Sequence, residues 1–491
     1  MKQKKQMGRV VIRALCCLVL FVGVAASRGE AAGSTALPRK PNIILILADD
    51  LGYGEVGCYG QRLIKTPTLD RMAREGMRFT QFYAGAALCA SSRNVLLTGE
   101  HTGHCRIRDN AHPRIQTLRP EDITLAKILK PAGYATAIIG KWGIGGDVPE
   151  TGGRPGQQGF DHFFGYLNGV HAHNYWPAYL WRNHEKVALG NVVQDVPPGY
   201  VGFVGGMATK KVQFSHDLIL EESLHWIRRQ QHQPFFLLLT PTIPHANPEA
   251  RKLTGNGTEI PDLGIYADKP WRTPNKGHAA MISRLDDGVG RILSLLKELR
   301  LDKNTLVIFT SDNGPHNEAG HDPDFFDANG PLGGSKFTLY EGGIRVPTIM
   351  RWPGAIRPGV VSDHVGYSGD FMATFCELAG RQPPRPPHGL DSISLLPTLT
   401  GHGDGQRQHP YLYWELPGGE GRQAVRFRQW KAIRVPLGYG DTLLFDLNRD
   451  LGELHNVADQ HPEVVHEAEH YLKEAHVESP HWPTRKPPEN R

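Results

Sequence analysis

The clearest pattern in the chain is a set of short, continuous apolar runs separated by stretches with helical periodicity. Four such runs cover residues 42–48, 135–139, 235–240 and 306–310. Runs of this length, rich in β-branched or aromatic residues, are typical of strands buried on both faces of a sheet. Apolar residues recur at helical spacing over 220–227 and 281–296, and we expect further helices over 68–78 and 124–130. The alternation predicts an α/β sandwich with a mainly parallel central sheet.

The pattern changes after a proline-rich link at residues 381–387. Beyond it, residues 423–435 alternate as an exposed antiparallel strand does, and 442–447 form another such strand. Residues 462–475 have the pattern of a closing amphipathic helix. We therefore predict a main domain over 27–385 and a C-terminal subdomain over 386–491, made of a small antiparallel sheet and a helix.

Residues 1–26 have the composition of a secretory signal peptide. Five basic residues accompany an apolar run over 14–26 that ends in the small residues Val24, Ala25 and Ala26. A membrane anchor is the alternative, but the run is short for a span and no second candidate follows. We therefore expect a secreted or periplasmic protein without stable membrane insertion after cleavage.

Removing this segment changes the charge balance of the chain. The segment holds five basic and no acidic residues, so the remainder carries 50 residues of each sign. This balance gives no support for nucleic-acid binding, and we expect no nucleic-acid partner. The four remaining cysteines, Cys58, Cys89, Cys105 and Cys376, are too few for a disulfide scaffold, and the sequence does not pair them.

Residues 89–99, which read Cys-Ala-Ser-Ser-Arg-Asn-Val-Leu-Leu-Thr-Gly, carry the most distinctive candidate chemistry. Two serines able to cap a helix follow the thiol of Cys89, and a glycine ends the apolar turn. A thiol at a helix N-terminus lies where backbone N–H groups favour an anion, and Arg93 adds a forked positive charge one turn on. The pattern indicates a nucleophile beside an anion site. A buried structural cysteine before an ordinary short helix is the alternative.

Polar side chains follow two of the predicted strands directly. Asp49 and Asp50 follow the first strand, and Asp312 and Asn313 follow the strand near residue 310. Because ligands of open α/β sheets bind beyond the carboxyl ends of the strands, we expect these groups at one edge. Oxygen ligands favour Ca²⁺ or Mg²⁺ over zinc. Turn-forming or helix-capping aspartates are the alternative for each pair taken alone.

Two further candidates follow strands in the same way. Lys141 would place an ammonium at the same sheet edge, although a surface lysine is the alternative. His245 ends a proline-rich turn after the strand at 235–240, where a histidine is placed for acid or base chemistry.

Taken in order, these motifs resemble the sulfatase family over roughly residues 40–460. Residues 89–99 resemble its signature Cys-x-Pro-Ser-Arg followed by an apolar run and Thr-Gly. The resemblance extends to the two acidic pairs, to Gly-Lys-Trp at 140–142, to the turn ending in His245, and to residues 333–347, which contain Lys336 and Glu-Gly-Gly-x-Arg. Five ordered motifs are far more specific than any one of them.

The resemblance implies an alkaline-phosphatase-like α/β/α core and the hydrolysis of a sulfate ester. It implies that Cys89 is oxidised to formylglycine by a formylglycine-generating enzyme, and that the hydrated aldehyde attacks sulfur. The four residues of the acidic pairs, together with residue 89, would hold one divalent cation, with calcium favoured over magnesium. Lys141, Lys336 and Arg93 would stabilise the charge of the sulfate and the nucleophile, and His245 would contact the sulfate and protonate the leaving oxygen.

Two positions depart from the family pattern. Ser91 stands where a proline usually follows the modified cysteine, and Gly143 stands where a histidine usually helps to release sulfate. Another base must then act, and His171 and His173 are the candidates. They lie in an aromatic stretch, residues 160–181, that suits a sugar-facing wall; a loop held by aromatic packing is the alternative.

The sequence therefore predicts a sulfatase acting on a sulfated glycan, with a galactose or N-acetylgalactosamine unit favoured over a simple aryl sulfate. Two alternatives stay open. The first is a phosphate or phosphonate ester hydrolase of the same superfamily. The second is a non-catalytic glycan-binding protein on a sulfatase fold.

Overall fold

A ten-stranded mixed sheet dominates the computed structural model, which describes residues 40–110, 117–145, 153–194 and 205–484. The strands are β1 Asn42–Ala48, β2 Met77–Phe79, β3 Phe82–Tyr83, β4 Ala135–Lys141, β5 His162–Tyr166, β6 Tyr179–Arg182, β7 Glu185–Ala188, β8 Val192–Gln194, β9 Met207–Lys210, β10 Phe235–Thr240, β11 Thr305–Ser311, β12 Thr348–Arg351, β13 Val360–Ser362, β14 Gly366–Tyr367, β15 Leu412–Leu416, β16 Arg422–Phe427, β17 Trp430–Val435 and β18 Asp441–Asp446. The helices are α1 Pro67–Glu75, α2 Cys89–Thr98, α3 Leu125–Leu129, α4 Ser215–Gln230, α5 Pro248–Thr254, α6 Thr273–Glu298, α7 Pro323–Phe326, α8 Glu341–Ile344, α9 Phe371–Leu378, α10 Leu396–Leu399 and α11 Pro462–Glu474.

The main sheet has the order β13-β2-β12-β11-β1-β10-β4-β5-β6-β7. Its five central strands, from β11 to β5, run parallel, and antiparallel strands flank them on both sides. The four apolar runs of the sequence are four of these central strands, so the prediction of a mainly parallel sheet is confirmed. Because parallel strands end at one edge, the residues after β1, β4, β10 and β11 come together.

Helices cover both faces of the sheet. Ile44 and Ile46 of β1 point into one apolar core with α1, α4 and α6, whereas Ile43 and Leu45 point into a second core with α2, α3 and α9. Burying one such side chain stabilises the fold by about 1.5–3 kcal/mol. This α/β/α arrangement explains why β1 reads as a continuous apolar run: both of its faces are dry.

A separate antiparallel sheet of β15, β16, β17 and β18 forms near the C-terminus, with α11 packed against it. The prediction of one exposed strand over 423–435 was wrong. The segment is a hairpin of β16 and β17, and most of its side chains are buried. The closing helix is confirmed as α11, whereas the domain boundary at 385/386 stays a prediction.

A smaller difference from the prediction concerns the first helix. The helix expected over 68–78 ends at Glu75, because Gly76 breaks it and residues 77–79 join the main sheet.

Residues 1–26, the predicted signal peptide, lie outside the described residues. In the part of the chain that the structure describes, no helix is long and apolar enough to cross a bilayer. Cys58, Cys89, Cys105 and Cys376 are all free thiols.

Candidate active site

Helix α2 places its first residue, Cys89, at the carboxyl edge of the sheet. The thiol is buried, with Sγ 3.6 Å from Asp49 Oδ1 and 3.8 Å from Asp50 Oδ1. The expectation that serines cap this helix was wrong: Leu88 is the N-cap residue, and both serines lie within the first turn. Ser91 donates its hydroxyl to the carbonyl of Leu88 instead.

The two acidic pairs meet beneath the thiol. The backbone N–H of Asp50 donates to Asp312 Oδ1 at 3.1 Å, and the amide of Asn313 donates to Asp50 Oδ1 at 2.7 Å. All four side chains are buried, with at most 1% of each residue exposed. The prediction that the groups after β1 and β11 lie together at one edge of the sheet is therefore confirmed.

Three cations surround these carboxylates. Arg93 donates two hydrogen bonds to Asp312 Oδ2, at 2.8 and 3.2 Å, and a third to the carbonyl of Lys141 at 2.7 Å. The ammonium of Lys141 lies 2.7 Å from Asp49 Oδ2. Arg93 therefore connects the cluster, since it joins the strand end at 141 to the carboxylate after β11.

Lys336 is the third cation and reaches the cluster from the segment before α8. Its ammonium lies 2.8 Å from Asp50 Oδ2, 2.6 Å from Glu318 Oε2 and 3.2 Å from His245 Nε2. The other nitrogen of His245, Nδ1, lies 2.7 Å from the carbonyl of Ala246. That contact holds the proton on Nδ1 and leaves the lone pair of Nε2 facing the ammonium.

The buried charges shift one another's pKa values. Burial favours the neutral acid at Asp49 and Asp50, but the surrounding positive groups, led by Lys141 at Asp49 and by Lys336 at Asp50, together outweigh it and hold both pKa values below their usual range. Burial, reinforced by Asp49, raises the pKa of Asp312 to about 7. Burial also lowers the pKa of His245 to about 3, so this ring is neutral at pH 7.

The oxygen atoms fit a hard divalent cation. Oδ1 of Asn313 is fully buried, and no hydrogen-bond donor reaches it among the described residues. Three carboxylates lie beside it, and the pKa of Asp312 is raised first by burial and then by repulsion from Asp49 and Asp50. A set of oxygens with an unused buried acceptor suits Ca²⁺ or Mg²⁺. The side chains of Asp49, Asp50, Asp312 and Asn313 would hold it.

The two histidines offered as replacement bases have different surroundings. His173 is buried, its ring stacks on that of His245 with centroids 5.1 Å apart, and its Nδ1 lies 3.2 Å from the carboxylate of Glu249. His171 packs against Tyr166 and Tyr179. Burial lowers the pKa of His171 to about 4. The structure thus brings His173, and not His171, into contact with a predicted site residue.

The aromatic stretch over 160–181 does not form the open wall that we expected. Six of its aromatic side chains are buried in the two main cores: Phe160, Phe163, Phe164, Tyr166, Tyr175 and Trp176. Tyr179 and Trp181 are half-buried. Packing against the sheet therefore accounts for most of the aromatic side chains, and two rings of the stretch remain partly exposed to solvent.

Sequence reasoning missed two side chains of the cluster. Glu318 contacts Lys336, and the ring of His316 stacks on His245 with centroids 5.8 Å apart. Both lie within five residues after Asn313, and this short separation was the only feature of the sequence that could have placed them near the site. Position 143 does face the site: a Cβ there would lie 3.4 Å from Arg93 Cδ and from Lys141 Cε.

Comparison with known proteins gives consistent matches over most of the chain. The family model described as Sulfatase matches residues 41–381, and the model described as N-sulphoglucosamine sulphohydrolase, C-terminal, matches residues 335–478. The N-acetylgalactosamine-6-sulfatase of Canis lupus familiaris is 34% identical over 82% of this chain and 73% of its own length. Arylsulfatase A of Homo sapiens is 32% identical over 88% of this chain and 87% of its own.

A solved structure matches the fold at similar coverage. The crystal structure of Ps i-CgsB in complex with k-i-k-neocarrahexaose superposes with a TM-score of 0.73 and 26% sequence identity. The match covers 91% of this chain and 95% of that one. The similarity therefore includes both the main sheet and the C-terminal sheet.

Proposed function

The chain belongs to the sulfatase family, and from this premise we propose that it releases inorganic sulfate from a sulfated carbohydrate. The proposal rests on one observation above all: a buried thiol at the start of α2 lies between paired carboxylates and three fixed cations. A tetrahedral dianion needs a dense set of positive charges, and electrostatic preorganisation usually contributes more to catalysis than any other single effect.

We propose that the active enzyme also contains a bound cation and a modified residue 89. The first is a divalent cation, with calcium the best match, held by the four oxygen side chains of the acidic pairs; it would supply positive charge to the sulfate and to residue 89. The second is formylglycine made from Cys89 by a formylglycine-generating enzyme, whose hydrated aldehyde would supply the attacking hydroxyl. Carboxylates engaged by a cation would leave Lys141 and Lys336 to bind sulfate oxygens.

Within this scheme each side chain has a defined task. Arg93 holds Asp312 and the strand end at Lys141 in place. Lys336 and His245 form a contacting ammonium–imidazole pair, to which we assign the proton for the leaving oxygen. Because His245 is neutral and presents its lone pair to Lys336, the proton comes from the pair as a unit.

His173 is our candidate for the base that the family places at position 143. Its ring lies against His245, and Glu249 contacts its Nδ1. A carboxylate on one imidazole nitrogen fixes the tautomer and the orientation of the ring. His173 would take a proton from the hydroxyl of residue 89 when sulfate leaves. His171, held by aromatic packing, would contribute to substrate contacts only.

The proposed substrate class is supported by the names of the relatives. Several relatives at 34–37% identity are called N-acetylgalactosamine-6-sulfatase, and the structural neighbour was solved with k-i-k-neocarrahexaose. We therefore favour a sulfated galactose or N-acetylgalactosamine unit. The leader-like residues 1–26 support secretion or a periplasmic location.

Two measurements on the full-length protein test this function. The first is the mass of the tryptic peptide 79–93 from a host that makes formylglycine: replacement of the thiol by an aldehyde supports maturation despite Ser91. The second is sulfate release from defined sulfated saccharides, with an aryl sulfate and a phosphate monoester as comparison substrates. Cys89→Ala should abolish release, whereas Cys58→Ala should retain it. Activity on aryl sulfates alone would contradict the carbohydrate assignment.

A further inference from the structure

Three buried histidines form a second cluster of possible metal ligands, to which the proposed function assigns no role. His278 lies in α6, and His316 and His321 lie in the loop between β11 and α7. One ring nitrogen from each histidine lies within 4.8 Å of the others. The three residues are 0%, 2% and 5% exposed.

Several ring nitrogens of this cluster are unsatisfied. Nδ1 and Nε2 of His321 and Nδ1 of His278 are buried, and no hydrogen-bond partner reaches them within the described ranges of the chain. Burying a polar atom without a partner carries a free-energy cost, because the atom loses its hydrogen bonds to water. Native proteins rarely tolerate this cost unless an ion or an ordered water fills the gap. Three such atoms in two adjacent rings therefore point to a bound species.

A buried carboxylate fixes the tautomer of His278. Nε2 lies 2.5 Å from Glu55 Oε1, and the other carboxylate oxygen of Glu55 accepts the N–H of Gly52 at 2.7 Å. An imidazole that donates one N–H to a carboxylate keeps its lone pair on the other nitrogen, as metal-bound histidines do. The nitrogen left with the lone pair is Nδ1, the atom without a hydrogen-bond partner in the part of the chain that the structure describes.

The other two rings are also suited to bind a cation. Burial lowers the pKa values of His316 and His321, so both rings are neutral, which is the form that binds metals. His321 stacks on His278, with centroids 3.9 Å apart and an angle of 8° between the planes, so the His321 ring must turn before both in-plane lone pairs can meet one ion. No hydrogen-bond partner among the described residues holds that ring in the stacked orientation. Nε2 of His316 lies 3.1 Å from the carbonyl of Pro244, which leaves its lone pair on Nδ1. A metal would displace the N–H of Glu318 from that lone pair.

We propose that His278, His316 and His321 bind one divalent transition metal ion, with zinc the best match, and that Glu55 orients His278 from behind. Imidazole nitrogens suit zinc, nickel and cobalt, whereas calcium and magnesium require oxygen. The site is thus chemically distinct from the oxygen cluster of the active site. The ring of His316 stacks on that of His245. The metal would therefore hold the His316 ring in place behind His245, and it would have a positioning role and no direct role in the reaction.

Cobalt(II) titration of the full-length protein tests the proposal without any activity measurement. The protein is first treated with 1,10-phenanthroline to remove transition metals and is then kept in excess Ca²⁺, so that the oxygen cluster does not compete. We expect one Co²⁺ ion to bind per chain and to produce the visible absorption of cobalt in a nitrogen-rich, low-symmetry site. Zn²⁺ should abolish that absorption, whereas added Mg²⁺ should leave it unchanged.

Matched variants locate the ion. His278→Ala and His321→Ala should each lose the cobalt spectrum, and Glu55→Gln should weaken cobalt binding about 10–100-fold, as loss of a supporting carboxylate does. His225→Ala, at an exposed position of α4, should bind cobalt as the unaltered chain does. Absence of the spectrum in the unaltered chain, or its persistence in both alanine variants, would overturn the proposal.

X-ray absorption at the zinc edge of the unaltered protein covers the case in which a variant does not fold. Imidazole rings produce a multiple-scattering pattern that oxygen ligands do not. A first shell of about three imidazole nitrogens supports the site. A shell of oxygen ligands alone would place the zinc in the oxygen cluster and overturn it. Neither result depends on whether the chain hydrolyses sulfate esters.

Discussion

At the scale of single residues, the candidate site consists of buried charges held by one another. The carboxylates of Asp49 and Asp50 each contact one lysine ammonium, and Asp312 contacts a guanidinium. Removing one partner of a buried pair leaves a charge that water does not reach, which costs far more than the pair is worth. Substitutions at these positions should therefore affect both metal binding and catalysis.

Lys141→Met should lower kcat/KM by about 10²–10³-fold, the usual cost of losing one preorganised charge in a catalytic site. The methionine keeps most of the side-chain volume but removes the ammonium that lies 2.7 Å from Asp49. Lys297→Met, an exposed position in α6, serves as the matched control and should leave kcat/KM unchanged. Rates of sulfate release measure both; equal rates for the two variants would exclude Lys141 from the site.

Chelation should destabilise the protein, and calcium should restore its stability. A bound cation would offset the repulsion among three neighbouring carboxylates and would contact Oδ1 of Asn313, which has no hydrogen-bond partner among the described residues. A ligand at 100 times its Kd stabilises the native state by about 2.7 kcal/mol. The melting temperature should therefore fall in EGTA and rise with added Ca²⁺, as thermal scanning measures. This response should shrink in Asp312→Asn but persist in Asp363→Asn, which alters an exposed carboxylate.

Residues directly after strands could be predicted, and residues farther along a loop could not. Asp49, Lys141 and Asp312 follow or end central strands, so the parallel topology alone brings them to one edge. Glu318 and His316 lie in a loop whose path depends on packing against Pro244 and Lys336. No local periodicity records such a path, so these side chains emerged only from the structure.

At the scale of the element, the end of α2 fixes the helix that carries Cys89. Gly99 adopts a left-handed conformation with φ of +74° and donates its N–H to the carbonyl of Val95 at 2.8 Å. A Cβ at this position would lie 2.6 Å from Cβ of Met372 in α9. The glycine therefore satisfies two requirements, one of backbone conformation and one of helix packing.

Gly99→Ala should destabilise the protein by more than Gly133→Ala does. Gly133 also has a left-handed φ, +89°, but a Cβ there would meet no atom of the described residues within 4 Å. Both variants carry the conformational cost of about 1–2 kcal/mol, and only Gly99→Ala adds the clash with α9. Melting temperatures of the two variants, measured side by side, should differ in that order. Equal losses would show that α9 adjusts freely to α2.

The elements with the strongest local signals could be predicted, and one turn without such a signal could not. Strand β1 is apolar on both faces because two cores enclose it, so its sequence marks it unmistakably. The hairpin of β16 and β17 turns at Arg428, which has φ of +49° although it is not a glycine. The alternating pattern runs through this turn without a break, and it therefore reads as one strand.

At the scale of the whole molecule, a buried charge network joins the C-terminal sheet to the segment that carries Lys336. The ammonium of Lys431 in β17 lies 3.1 Å from Glu341 Oε1 and 3.3 Å from Glu453 Oε1. Glu341 begins α8, and its second carboxylate oxygen accepts the hydroxyl of Tyr83 at 2.7 Å. The network thus anchors one end of the active-site segment to the C-terminal sheet.

Lys431→Met should destabilise the protein, and the loss should grow with pH. Burial, reinforced by Glu341, raises the pKa of Glu453 to about 7, above its ordinary value of 4.5, although Lys431 opposes the shift. A carboxyl with a raised folded-state pKa contributes stability that is present below pH 4.5 and is lost as pH rises through the folded-state pKa. Without the ammonium, both carboxylates bind protons more tightly in the folded state. The loss at pH 8 should reach about 3–5 kcal/mol, the cost of breaking a buried pair.

Melting temperatures at pH 5 and pH 8, each compared with the unaltered chain at the same pH, measure this effect. The double variant Lys431→Met with Glu453→Gln should recover stability at pH 8, because it removes one of the two stranded charges. Lys473→Met, at an exposed position of α11, should change neither melting temperature. An equal loss at both pH values would mean that Lys431 contributes packing and not charge. Sulfate release should fall in parallel with the melting temperature at pH 8, since the anchored segment positions Lys336.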